Sequence, residues 1–230
     1  MKATEPIDRR PSSGATCRTG AKRGVDLLAA AVTLPAWAAY RLSAAALGAE
    51  RAFPGYAQAF ALLPGLCGVT LRRAFFRQTL RACGRDVHVG FGALLTSPET
   101  TLGARCYVGP YCVLGAVDVG EDALLGSAVS VTNGGRQHGI DRLDMPVREQ
   151  PGEWPRVAIG RDAWVGDRAV VMADVGEQAV IAAAAVVTGP VGPRQIMAGV
   201  PARAIGERGA VRDNRPPTPA TAASSVGGGD

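Results

Sequence analysis

His138 is the residue best suited to move a proton near neutral pH, because an unperturbed imidazole titrates at about 6.5. It lies in the polar, glycine-rich stretch TNGGRQHGIDRLDMPVREQPGEWPRVA. A base placed there could take the proton of a hydroxyl as its oxygen attacks a carbonyl, then return it to the departing group. Such a base needs an orienting partner, and the carboxylates at hand are Asp141, Asp144 and Glu153. Arg136, Arg142 and Arg148 could meet an acidic substrate or simply stay hydrated. The chain has 2 histidines in all. The other, His88, is distant in sequence and reads as structural. Two histidines are too few for a zinc site of three imidazoles, and no metal is expected.

The element that must hold this stretch is a repeat. An aliphatic residue, usually followed by Gly, recurs every six positions: Leu102, Val108 and Leu114; Val119, Leu125 and Val131; Ile159, Val165 and Val171; Val175, Ile181 and Val187. Six is neither a helical nor a simple strand period. Three steps make about one turn of a triangular prism whose faces are short strands. The aliphatic residues point inward, and stacked turns bury a continuous column, as in other solenoids. The repeat stops at Val131 and resumes at Ile159, so the His138 stretch is an insertion, and such insertions form loops that often carry function.

Composition agrees. Aromatics are 5% of the chain, so Val, Ile, Leu and Ala must fill the core, and 30 Gly suggest many tight corners. The formal charge is +5. Most of it sits before residue 24, in Lys2, Arg9, Arg10, Arg18, Lys22 and Arg23 against Glu5 and Asp8. A nearly neutral folded part argues against a nucleic-acid face. The 5 cysteines show no CxxC spacing and read as reduced thiols in a cytoplasmic setting.

Over residues 85–206 the repeat resembles that of the hexapeptide-repeat acyltransferases, in the branch of maltose, galactoside and exopolysaccharide O-acetyltransferases. The residues that carry the likeness are Ile159-Gly160-Arg161-Asp162-Ala163-Trp164-Val165-Gly166 and the ending Ala198-Gly199-Val200-Pro201-Ala202-Arg203-Ala204-Ile205. The resemblance implies a mainly β fold, a left-handed parallel β-helix, an exception to the usual right-handed crossover. It implies an acetyl-CoA-dependent O-acetyltransferase on a carbohydrate hydroxyl, working as a homotrimer with sites between subunits. His138 in the loop 132–157 inherits the role of base, and Gly152-Glu153 matches the pair that supplies its acidic partner. Trp164, Gly166, Ala182 and Ala184 match walls of the CoA groove, and Arg203 matches a basic position near the ADP phosphates. Ala182-Ala183-Ala184 replaces the usual Gly-Ala-Gly, and Tyr107-Val108-Gly109-Pro110-Tyr111-Cys112 lacks an Asn that contacts the acceptor in galactoside-type relatives. Acceptor recognition must therefore differ, and the long apolar N-terminal segment points toward a polymeric or lipid-linked glycan. Amino-sugar N-acylation and a non-catalytic β-helix scaffold stand as alternatives. A zinc enzyme of the γ-carbonic anhydrase type lacks its histidines.

The ends complete the plan. Residues 1–23 and 207–230 read as disordered. Residues 24–84 form an apolar helical segment. Its uncharged run Leu27 to Tyr40, interrupted by Pro35, is short for a span. A signal peptide, a helical cap on the core, and a Pro-broken segment dipping into one leaflet are the three readings. The last is favoured, with basic flanks including Arg72, Arg73 and Arg77 at anionic headgroups and peripheral contact over 24–70 at the inner face of the cell membrane.

Overall fold

A computed structural model describes residues 14–210, with side chains from Lys22 onward. The disorder expected of 1–13 and 211–230 falls outside these residues.

Three helices precede the repeat: α1 (Gly14–Leu47), α2 (Ala49–Ala61) and α3 (Gly65–Thr79). Two expectations need correction here. The basic segment is helical from Gly14 rather than disordered to residue 23, since extending a helix already held by packing costs little. The helix also runs through Pro35 without a break. Pro35 sits on the exposed side, where the carbonyl it leaves unbonded faces outward. What ends α1 is Gly48, whose φ of 87° suits glycine and whose N–H caps the Ala44 carbonyl at 2.9 Å.

The solenoid follows. Its first coil is β1 (Ala82–Cys83), β2 (His88–Val89) and β3 (Leu94–Leu95). The second is β4 (Thr101–Leu102), β5 (Tyr107–Val108) and β6 (Val113–Leu114), and the third β7 (Val117–Val119), β8 (Leu124–Leu125) and β9 (Ser130–Val131). The fourth is β10 (Val157–Ile159), β11 (Trp164–Val165) and β12 (Val170–Val171). A bridge at Val175, β13 (Val180–Ile181) and β14 (Val186–Val187) make the fifth. A bridge at Val191 and β15 (Gln195–Ala198) open the sixth, and β16 (Arg203–Glu207) turns back antiparallel on β15. The repeat thus begins at Ala82, a few residues before the expected boundary, and its last strand ends at Glu207.

Every coil-to-coil pairing from β1 to β15 is parallel, and the strands sort into three faces. We call these A (β1, β4, β7, β10), B (β2, β5, β8, β11, β13, β15, β16) and C (β3, β6, β9, β12, β14). All twelve aliphatic residues of the six-step repeat are at most 2% exposed. A second inner column of small residues, such as Cys106, Ala123, Ala163 and Ala179, fills the corners beside them.

The glycines do a different job from the one composition suggested. The corners with positive φ are held by ordinary residues, among them Arg105 (59°), Asp122 (58°), Asp162 (52°) and Ala184 (58°). Each is pinned by its N–H to a carbonyl of the preceding coil, as Asp162 to Glu121 at 2.9 Å and Ala184 to Asp167 at 2.8 Å. The repeat glycines lie where coils touch: a Cβ on Gly160 would stand 2.4 Å from the Glu177 nitrogen.

The helices close the N-terminal end of the prism. Phe53, Ala57, Phe75, Phe76 and Leu80 join Val87, Val89 and Leu95 in one core. Arg72 is not a membrane-facing cation as expected but is fully buried. Its Nε donates to the Val89 carbonyl at 3.0 Å, and its Nη1 donates to the carbonyls of Phe60 (3.2 Å) and Leu63 (2.5 Å) at the end of α2. The unpaired carbonyls at a helix C-terminus attract such a donor. Arg73 turns inward as well, to Asp26 of α1 at 2.5 Å, while Arg77 comes within 3.5 Å of the same carboxylate and stays exposed.

Candidate active site

The loop 132–156 leaves face C after β9 and re-enters face A at β10. Buried Asn133 ties its two ends together. Its Nδ2 donates to the carbonyls of Ala116 (2.9 Å) and Pro155 (3.0 Å), and its Oδ1 accepts from the Ala116 N–H (3.1 Å). Buried Gln150 staples the outer part, accepting from Arg142 N–H (3.1 Å) and donating to the carbonyls of Arg142 (2.6 Å) and Met145 (3.2 Å). Between these anchors the Glu153 N–H donates to the Arg136 carbonyl at 2.7 Å. Gly152 lies so close to the facing loop segment that a Cβ would fall 1.9 Å from the Gln137 carbonyl oxygen.

This folding puts His138 and Glu153 on one cavity of about 320 Å³, lined also by Arg136, Asp141 and Pro151. Both side chains are exposed, and no hydrogen bond joins them in the isolated chain. The His138 and Trp154 rings meet edge to face, with centroids 5.6 Å apart and planes at 85°. Asp144 is engaged elsewhere, in a bidentate pair with Arg142 that holds its carboxyl below the usual range. Of the four carboxylates in the stretch, Asp141 and Glu153 line the same cavity as the imidazole, while Glu149 lies 3.5 Å from Arg148. His88 is apart from them on β2, stacked on Tyr107 at 4.6 Å, and burial lowers its pKa, with Arg72 and Arg73 adding to the shift.

The second group expected at the site lies elsewhere on the prism. Trp164 points outward from face B, half exposed. Gly166, Ala182 and Ala184 form the corners between faces B and C. Gly166 has a packing duty, since its Cβ would stand 2.5 Å from the Ala183 nitrogen. The N–H groups of Ala182 and Ala184 are committed to Met197 and Asp167, both at 2.8 Å, whereas Ala183 N–H has no backbone acceptor. Arg203 is exposed on β16. Within one chain, face C separates these residues from the loop at the C-to-A edge.

Sequence reasoning passed over Asn133, Gln150 and Trp154. Trp154 carried a signal, being one of 3 tryptophans and the lone large aromatic in a polar loop. The two amides carried none, because their value lies in which carbonyls the folded loop leaves unpaired.

No protein-family model matches the chain, and no curated protein matches it. Solved structures do. A maltose O-acetyltransferase from Clostridium difficile 630 superposes with a TM-score of 0.60 at 20% identity, over 69% of this chain and 86% of that one. A galactoside acetyltransferase in complex with coenzyme A gives 0.55 at 18%, over 69% and 80%. A hexapeptide-repeat acetyltransferase from Vibrio cholerae O1 biovar eltor, complexed with acetyl coenzyme A, gives 0.53 at 20%, over 71% and 89%. The likeness shows the fold, a left-handed parallel β-helix.

Proposed function

We infer that this chain is an acetyl-CoA-dependent O-acetyltransferase acting on a carbohydrate hydroxyl, in the cytoplasm and in the service of polysaccharide or lipid-linked glycan modification. The observation that carries the reading is the loop inserted into the β-helix, which is stapled so that His138 and Glu153 share one polar cavity. The fold is that of proteins described as acetyltransferases, two of them holding coenzyme A or its acetyl ester.

In this reading His138 accepts the proton of the acceptor hydroxyl as its oxygen bonds to the thioester carbonyl carbon. The carbon–sulfur bond then breaks, and the imidazolium returns the proton to the thiolate. Glu153 is the residue assigned to orient the ring, and Asp141 lines the same cavity. Trp154 restricts the imidazole on one side and offers an exposed face to a sugar ring. Trp164, the Ala182–Ala184 corner with its free Ala183 N–H, and Arg203 are assigned to the pantetheine arm and the ADP phosphates. A backbone N–H is assigned to the oxyanion.

The separation of these two groups in one chain supports a homotrimer, in which the loop of one subunit meets the B-to-C corner of the next. Faces B and C have the surface for it. Tyr107, Leu124, Trp164 and Val113 stand outward in ladders, from 37% to 52% exposed.

The test is thiol release from acetyl-CoA over a panel of sugars, amino sugars and glycan polymers. His138→Ala is expected to keep the melting temperature and the light-scattering mass of three chains while losing at least a hundredfold in turnover, the scale general-base catalysis supplies. Wild-type turnover in that variant rejects the assigned base. Turnover with amino sugars alone replaces the hydroxyl acceptor by an amine.

A further inference from the structure

Helix α1 turns an apolar stripe outward, where a surface helix of a globular domain places polar residues. The side that packs on α2 and α3 mixes buried Ala29 and Tyr40 with bonded polar groups. Asp26 takes Arg73 and Arg77. Thr33, 1% exposed, accepts from Gln78 Nε2 at 2.7 Å, and Ser43 meets the Tyr56 hydroxyl at 3.0 Å. The outward stripe has none. Leu28, Val32, Pro35, Ala39, Leu42 and Ala46 follow one another at helical spacing, all exposed. At 1.5 Å per residue the stripe is about 27 Å long. Val25, Leu28 and Val32 continue across a groove of about 450 Å³ to Leu66, Cys67 and Leu71 of α3, and Leu66 is 85% exposed.

Charge surrounds this apolar face without entering it. Residues 22–79 carry 7 cations against Asp26 and Glu50, while the chain beyond residue 79 is net negative. With Arg72 buried and Arg73 turned to Asp26, the cations left at the surface are Lys22 (3.2 Å from Asp86) and Arg23 before the stripe, Arg77 beside Asp26, and Arg41 and Arg51 near the far end. A second copy would set like charge against like, whereas anionic headgroups are of the opposite sign. The inner face of α1 is bonded to α3 through Asp26 and Thr33, so the helix cannot stand alone across a bilayer while the cap is intact.

We propose that α1 and the adjoining α3 groove dock on an anionic lipid surface, the stripe entering one leaflet along its length without crossing it. This goes beyond the catalytic reading and does not depend on it. Its occupant is lipid, recognised by apolar burial and by cations at the rim.

The experiment uses the full chain with phosphatidylcholine vesicles, with and without phosphatidylglycerol. Co-sedimentation with the mixed vesicles is expected, several-fold weaker without the anionic lipid. Leu28→Glu/Leu42→Glu is expected to lower the bound fraction at least tenfold at unchanged melting temperature and oligomeric mass. Bound vesicles should slow alkylation of Cys67. In a Trp154→Phe/Trp164→Phe background, Trp37 fluorescence should be quenched more by nitroxides near the headgroups than by those at chain ends. Failure to bind either vesicle, or binding indifferent to the glutamates, overturns the proposal. So does deepest quenching at chain ends, which would mean a span. A lipid-free mass that falls when the glutamates are introduced would assign the face to a second copy instead.

Discussion

His138 is exposed, so what distinguishes it is the restraint around it: a perpendicular indole on one side, and a backbone crossing at Gln137 and Gly152 next to it. His88 is the contrasting case, an imidazole half-buried against a phenol ring. Burial and then the nearby Arg72 and Arg73 lower its pKa from about 6.5. A base whose folded pKa lies below its unfolded one binds protons more readily when unfolded. The stability it contributes is therefore complete above pH about 6.5 and declines as pH falls through the lowered folded value. His88→Phe keeps a ring on Tyr107 and removes the titration. Its melting temperature is expected to fall less between pH 7 and pH 5 than that of the wild type, and an equal fall would refute the assignment of His88 as an acid-labile packing residue.

At the scale of elements, loop and prism separate cleanly. Gly152→Ala puts a methyl group into the Gln137 carbonyl at the loop's crossing, away from any coil. Activity is expected to drop at least tenfold with little change in unfolding temperature. Gly160→Ala presses on the next coil instead, and should cost about 1–3 kcal/mol in chemical denaturation, as overpacking does. If both variants lose stability alike, the loop is part of the cooperative unit. The contrast also explains what could be read from sequence. A six-residue period is local and repeats, so Leu102 through Val187 announced their burial directly. The loop drew attention to His138 by composition alone, and the staple through Gln150 is a contact within an irregular segment that no period reports. In the cap, hydropathy marked α1 as apolar but not which side would face outward. Polar partners settled that, and those on α3 lie about 45 residues away, Gln78 for Thr33 and Arg73 for Asp26. The pair with Asp26 also withdrew Arg73 from the surface.

Among the described residues, the prism has unlike ends. Its helical end is basic and apolar, while the rest is slightly acidic. If three chains assemble side by side, all three α1 stripes lie at one end, and their attachments to one surface would reinforce one another.

A column of parallel rungs is also a template. Its first and last strands would offer unpaired backbone groups to any neighbouring column, the situation from which fibres grow. Here α2 and α3 plug one mouth, and β16 doubles back along β15 at the other, presenting an antiparallel hem with a register shift at Ile196/Met197. A chain shortened to end before Gln195 would lose that hem. It is expected to form filaments visible by electron microscopy where the full chain stays discrete. The last strand then serves as a terminator of growth, and its removal turns a closed particle into a polymerising one.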